Sequence, residues 1–278
     1  MLLASIIVFS ALGGIASAAL AVVFLWVPQP RAARLLPHFV SFATGALLGA
    51  ALLALLPEAI ARAGVAGAHA LGLTLVAGLG VFFIIEKLVL WWHLHAHAAP
   101  GHGPLEHTHG HGDQSHGHGD HGHAHAHRQR ASGVLVLIGD SVHNALDGVV
   151  IAAAFLTSQP LGLITTLAVA AHEIPHRVGD FAILVQAGLS RRRALELNLA
   201  TGFASVIGAV AAWWGLGRAL WLLPYALAFA AAGFLYIAVA GLIPGLHRSA
   251  DPRSSAIQVI LIGLGVAVAT LAGRLLGE

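Results

Sequence analysis

The sequence predicts an all-α polytopic membrane protein, and three observations carry that expectation. Hydrophobic residues fill 58% of the 278 positions and charged residues 9%, with mean hydropathy +0.83. Soluble domains carry about 25% charged residues, so a chain this apolar needs lipid around it. Eight stretches reach the length of about 20 apolar residues that a helix needs to cross a bilayer. The ionisable residues that do fall inside these stretches gather in the fourth and fifth. Cysteine is absent, which excludes disulfides and thiolate metal sites and leaves His, Asp, Glu and Asn as possible ligands.

The eight stretches are roughly 2–27, 38–61, 70–92, 133–157, 161–188, 196–217, 222–244 and 256–275. The first could be mistaken for a signal peptide, with Ala16-Ser17-Ala18 resembling a cleavage site. It lacks a basic leading region, however, and its apolar run continues to Val27, so it is read as a retained span. Basic residues give the orientation. Nine arginines fall in the odd-numbered loops (Arg31, Arg34, Arg128, Arg130, Arg191, Arg192, Arg193, Arg248 and Arg253), against three in the even-numbered loops and tail (Arg62, Arg218 and Arg274). This places the odd loops in the cytoplasm and both termini outside the cell. The pI near 9.7 does not indicate nucleic-acid binding, because the basic residues are scattered and sit at span ends. Lysine occurs only at Lys87 and alanine and glycine abound, which fits a GC-rich bacterial gene and a multi-pass protein of the cell (inner) membrane.

One connection is long. Residues 93–130 form a low-complexity loop, and 13 of the 19 histidines lie within HLHAHAAPGHGPLEHTHGHGDQSHGHGDHGHAHAH, spaced by Gly, Ala and Asp. Such a segment cannot pack a core and is expected to be disordered. Alternating histidines chelate metals, so it reads as a cytoplasmic sink or sensor for divalent cations.

Ionisable groups at bilayer depth cost several kcal/mol unless they are paired or bind an ion, which makes them functional candidates. Span four reads GDSVHNALDGVVIAAAF. His143 and Asp147 are i, i+4, so they share a face at about 5–6 Å; Asn144 borders that face and Asp140 lies one turn earlier. Span five reads AHEIPHRVGDFAIL. His172 and His176 are again i, i+4, Glu173 flanks them, and Asp180 is one turn further. Two neighbouring helices thus each carry an imidazole–carboxylate stripe. The combined set is His143, Asp147, His172 and His176, with Asn144 and Glu173 beside them. It suits Zn²⁺ and other first-row divalent ions. A buried hydrogen-bond network joining the two helices is the plainer reading, but six polar groups at ligand spacing favour an ion. Pro175 removes a backbone hydrogen bond and crowds the carbonyl of Ala171. Such a break is tolerated where it lines a cavity, as in the discontinuous helices of transporters.

HEIPH (172–176) also fits the H-E-x-x-H pattern of zinc proteases, and Leu146-Asp147-Gly148 could supply the third ligand, as in the site-2 protease family. The order of the two spans is reversed from that family, and Asp147 already has His143 on its own helix. A set of four ligands with two spares suits holding and passing ions better than hydrolysis, which needs three ligands and an open water position.

HNALDG (143–148) followed by HEIPHRVGDFAIL (172–184) resembles the paired signatures of the ZIP (Zrt/Irt-like protein) family of metal transporters. LLPEA (55–59), FFIIEKL (82–88) and GFLYIAVAGLIPGL (233–246) resemble further elements of it, so the likeness covers nearly the whole chain. It implies a ZIP-type bundle of eight helices with extracytoplasmic termini and a binuclear centre halfway across. His143, Asp147, His172 and His176 would form the first site, and Asn144 and Glu173 the second, with Asp147 able to bridge. It further implies a homodimer working as an elevator: spans one, four, five and six would move against two, three, seven and eight. The cargo would be Zn²⁺, with Cd²⁺, Fe²⁺ or Mn²⁺ as further candidates, carried into the cytoplasm. Three departures stand out. Arg177 follows HEIPH where the family often has glutamate, Ser205 stands near a position that can be acidic, and Gly241 and Gly245 stand where span seven often ends in acids. They predict one strong site and a weak or transient second one, with Arg177 pairing Asp180 or reaching the surface. The rival readings are an exporter of the cation diffusion facilitator kind and a non-transporting metal sensor.

Overall fold

The computed structural model describes residues 1–20, 29–97, 121–247 and 251–277, and every regular element among them is helical. Helix α1 (Leu2–Ala11) passes through a wide π turn (Leu12–Ala16). Helix α2 (Gln29–Gly49) does the same at Ala50–Leu55 and runs into α3 (Leu56–His97). Helices α4 (His121–Thr157) and α5 (Gln159–Gln186) follow, then α6 (Arg191–Thr201) and α7 (Phe203–Leu216). The last are α8 (Leu223–Tyr236), a π turn at Ile237–Leu242, the short α9 (Ile243–Leu246) and α10 (Pro252–Gly277). Of the expected histidine-rich loop, residues 98–120 lie outside the described residues; its two ends continue α3 and α4.

Six helical segments among the described residues are long and apolar enough to cross a membrane. One of them, Arg34–Leu88, is 55 residues long. At 1.5 Å per residue that is about 80 Å, far more than a hydrocarbon core of about 30 Å. The helix is interrupted within it at Gly64, whose φ of 66° and ψ of 180° suit a residue without Cβ. The expected spans two and three lie on either side of this break. α5 is 28 residues long but is not among the six; its central turns carry His172, Glu173, His176, Arg177 and Asp180.

The ends of α5 are set locally. Ser158 alone separates it from α4; it is extended (φ −162°, ψ 154°), its Oγ accepts from the amide of Leu161 at 3.3 Å, and Pro160 follows in the first turn. So tight a turn returns α5 antiparallel alongside α4. At the far end Gly188 takes φ 89°, the Gly188 amide donates to Val185 O and the Leu189 amide to Leu184 O, a Schellman closure. Backbone geometry therefore fixes both ends of the helix that carries HEIPH.

Small residues bring the helices together. A Cβ on Gly148 would lie 1.8 Å from the carbonyl oxygen of Ser205, and one on Gly208 2.0 Å from that of Ala145, so α4 and α7 touch backbone to backbone. Gly45 and Gly265 do the same between α2 and α10, with limits of 2.0 Å to Ile262 O and 2.3 Å to Phe42 O. Close approach through glycine and alanine is how helices associate where lipid removes the hydrophobic drive. The core is correspondingly alanine-rich, with Ala152, Ala153, Ala154, Ala228, Ala230, Ala231 and Ala232 all enclosed. Large apolar side chains such as Val76, Ile84, Ile207, Val259 and Ile260 face outward, the inverse of a water-soluble surface.

Candidate metal centre

The antiparallel pair α4 and α5 sets two polar stripes against each other in the middle of the bundle. Four side chains converge there: His143 and Asp147 from α4, His172 and Glu173 from α5. His143 Nε2 and His172 Nε2 are 3.2 Å apart. Asp147 Oδ2 lies 3.4 Å from His172 Nε2 and 3.8 Å from His143 Nε2. Glu173 Oε1 lies 3.5 Å from His143 Nε2 and 4.0 Å from His172 Nε2. Ligand atoms arranged tetrahedrally on Zn²⁺ at about 2.0–2.1 Å stand about 3.3 Å apart. The observed spacings are therefore close to those an ion would impose.

The carboxylates point to the same conclusion. Asp147 Oδ2 and Glu173 Oε1 are buried and accept no hydrogen bond. A buried carboxylate oxygen without a partner is costly, and the groups facing these two are the histidines. His172 is held so that its other nitrogen is free for a ligand: its Nδ1 donates to the carbonyl of Ala168 at 3.1 Å, leaving the Nε2 lone pair directed into the cluster. His172 and Glu173 are fully enclosed, whereas His143 is half-buried and opens the cluster to one side.

The set differs in one respect from the four residues expected from spacing. Glu173, expected beside the first site, lies in the cluster. His176 lies next to it, with its ring stacked on that of His143 at 5.2 Å and 17°. Its Nδ1 donates to Asp180 Oδ2 at 3.0 Å and is 3.9 Å from Asp140 Oδ1, so that Asp140, His176 and Asp180 form a second group able to hold a cation. His176 is also the most exposed of these side chains, at 45%. With Nδ1 engaged by a carboxylate, its Nε2 remains available to an ion.

Asn144 belongs to neither group. Its Nδ2 donates to Asp140 O at 2.8 Å and Asp140 Oδ1 at 2.9 Å, and its Oδ1 accepts from Arg177 Nη2. Arg177 was expected to pair with Asp180 or to reach the surface. It is instead fully buried, with Nε on Glu173 Oε2 at 2.8 Å and Nη1 on Asp140 Oδ2 at 2.6 Å, while Asp180 serves His176. Arg177 Nη1 also reaches the carbonyl and side-chain oxygens of Asn198 at 3.0 and 3.1 Å and Thr201 Oγ1, both on α6. Asn198 returns a bond from Nδ2 to Arg177 O at 3.0 Å. Reading the sequence missed Asn198 and Thr201. The signal was an i, i+3 pair of polar residues at the start of an otherwise apolar span, which places both on one helix face. Ser205 is buried with an unpartnered Oγ, and its backbone is spent on contact with Gly148.

Comparison with known proteins gives the family. A model of the ZIP zinc transporter family matches residues 1–273. The chain is 35% identical to zinc transporter ZIP13 of Mus musculus over 254 residues, covering 85% of this chain and 69% of that protein. It is 34% identical to zinc transporter ZIP13 of Homo sapiens over 264 residues (85% and 70%). It is 33% identical to zinc transporter SLC39A7 of Rattus norvegicus over 316 residues (89% and 67%). With the match running almost from end to end and the paired histidine–carboxylate stripes facing each other inside a helical bundle, the chain belongs to the ZIP family of zinc transporters.

Proposed function

We propose that this protein carries Zn²⁺ across the cell (inner) membrane into the cytoplasm, and that the ion is held between α4 and α5 by His143, Asp147, His172 and Glu173. The observation that supports this most is the pair of buried, unbonded carboxylate oxygens set 3.4–4.0 Å from two imidazole nitrogens. His176 joins the ion from the open side through Nε2, while Asn144 keeps Asp140 and Arg177 in place. Cd²⁺, Fe²⁺ and Mn²⁺ suit the same donors and are expected to compete.

The transporter has eight spans in this reading: Arg34–Leu88 counts as two, and α5 counts as one although its functional residues lower its apolarity. Both termini then face outward, and the segment 93–130 lies in the cytoplasm, where it takes up released metal. Transport is elevator-like. α1, α4, α5, α6 and α7 carry the ion, and α2, α3, α8 and α10 form the fixed part, with a second copy of the chain completing a homodimer in the lipid bilayer. The backbone-tight pairs α4–α7 and α2–α10 each fall within one of these two groups, which supports their moving as units.

The chain acts as a carrier rather than an enzyme. In an H-E-x-x-H protease the glutamate is left off the metal as base; here Glu173 stands among the ligand atoms. Export in place of uptake is the second reading, and it differs only in the direction of flux. Metal and protons compete for the same imidazole lone pairs, so zinc affinity should fall as pH drops through the ordinary histidine range near 6.5. Zinc titrations of the purified chain between pH 5 and 8 check this, and affinity that rises toward acid would contradict it. Removal of residues 93–127 should alter the rate of uptake without abolishing it, as measured by ⁶⁵Zn accumulation in reconstituted vesicles.

A further inference from the structure

We infer that Arg177 is a resident cation that takes up part of the acidic centre, so that the centre holds one divalent ion at a time. The inference rests on the reading that the His143/Asp147/His172/Glu173 cluster holds the transported ion. Arg177 has no access to solvent. Its guanidinium is engaged on every nitrogen: Nε with Glu173, Nη1 with Asp140 and α6, Nη2 with Asn144. Planar, always charged and fitted to two carboxylates, it occupies the place that a second metal ion would take among oxygen donors.

Glu173 is the shared wall. Its Oε2 faces the guanidinium at 2.8 Å and its Oε1 faces the histidines at 3.5 and 4.0 Å. One carboxylate therefore neutralises the fixed cation on one side and meets the mobile cation on the other. Asp140, Asp147, Glu173 and Asp180 contribute four negative charges when ionised, and Arg177 neutralises part of them from the oxygens a second divalent ion would need, Glu173 Oε2, Asp140 Oδ2 and Asn144 Oδ1. Without Arg177 the same four acids would balance two divalent ions, and Asn144 Oδ1, Glu173 Oε2 and Asp140 Oδ2 would be free to hold the second.

The number of ions is directly countable. Crystals of the full chain equilibrated with Cd²⁺ should show one anomalous peak between α4 and α5. Arg177→Ala should show two, the new one among Asn144, Glu173 and Asp140, and Arg177→Lys should again show one, because it restores a cation without restoring the geometry. Two peaks in the wild-type centre would overturn the inference and need no variant. So would a single peak in a folded Arg177→Ala or, where that variant does not fold, in Arg177→Gln. No peak at all in the wild type would instead sink the preceding reading of the cluster.

Discussion

Replacing His172 with alanine should reduce zinc uptake into proteoliposomes to background. His172 is 1% exposed, and its Nε2 lies 3.2 Å from His143 and 3.4 Å from Asp147. The substitution removes one of four converging donors, and of the two imidazoles in the cluster it is the enclosed one. Losing an orienting partner of a metal ligand costs about 10–100-fold in affinity; losing the ligand itself should cost more than about 100-fold. His69→Ala alters an exposed histidine outside the cluster and should transport at the wild-type rate. Normal accumulation by a folded His172→Ala protein would remove His172 from the pathway.

The second large effect concerns assembly. Gly148→Leu would place a Cβ 1.8 Å from Ser205 O, 2.7 Å from Ser205 C and 2.8 Å from Ala209 N, all backbone atoms that cannot rotate aside. Overpacking a fitted contact costs about 1–3 kcal/mol, and here α4 would have to part from α7 along its length. The melting temperature in detergent should fall by at least about 5 °C, with reduced recovery of monodisperse protein. Gly72→Leu, where nothing lies within 4 Å of the added Cβ, should melt within a degree or two of wild type. Equal stability of the two variants would mean that the α4–α7 contact is not the tight one.

Much of this site was legible in the sequence because it depends on helical spacing. The i, i+4 pairs His143/Asp147 and His172/His176 put histidine and carboxylate on facing stripes of consecutive spans, and the structure brings the stripes together. Spacing does not fix how far each helix is rotated about its own axis. His172 and Glu173 are about 100° apart around α5, and His176 almost eclipses His172. Whether Glu173 or His176 turns inward therefore depends on how α5 seats against α4, which is decided by glycine and alanine contacts spread over several helices. The partner of Arg177 was hidden for a related reason. Glu173, at i−4, was as close in sequence as Asp180 at i+3, but the choice is made by Asp140 and by Asn198 and Thr201 from a helix more than 20 residues away. The interruption at Gly64 was legible only as a gap between two apolar runs, since positive φ at a glycine leaves no mark in hydropathy.

The location of the bound ion tests the central claim most directly. Anomalous diffraction at the zinc edge, from crystals of the full chain grown with Zn²⁺, should place density between α4 and α5, within about 2.0–2.2 Å of His143 Nε2, His172 Nε2 and a carboxylate oxygen of Asp147. Zinc found only on histidines of the segment 93–130, or only in the Asp140/His176/Asp180 group with the four-residue cluster empty, would contradict it.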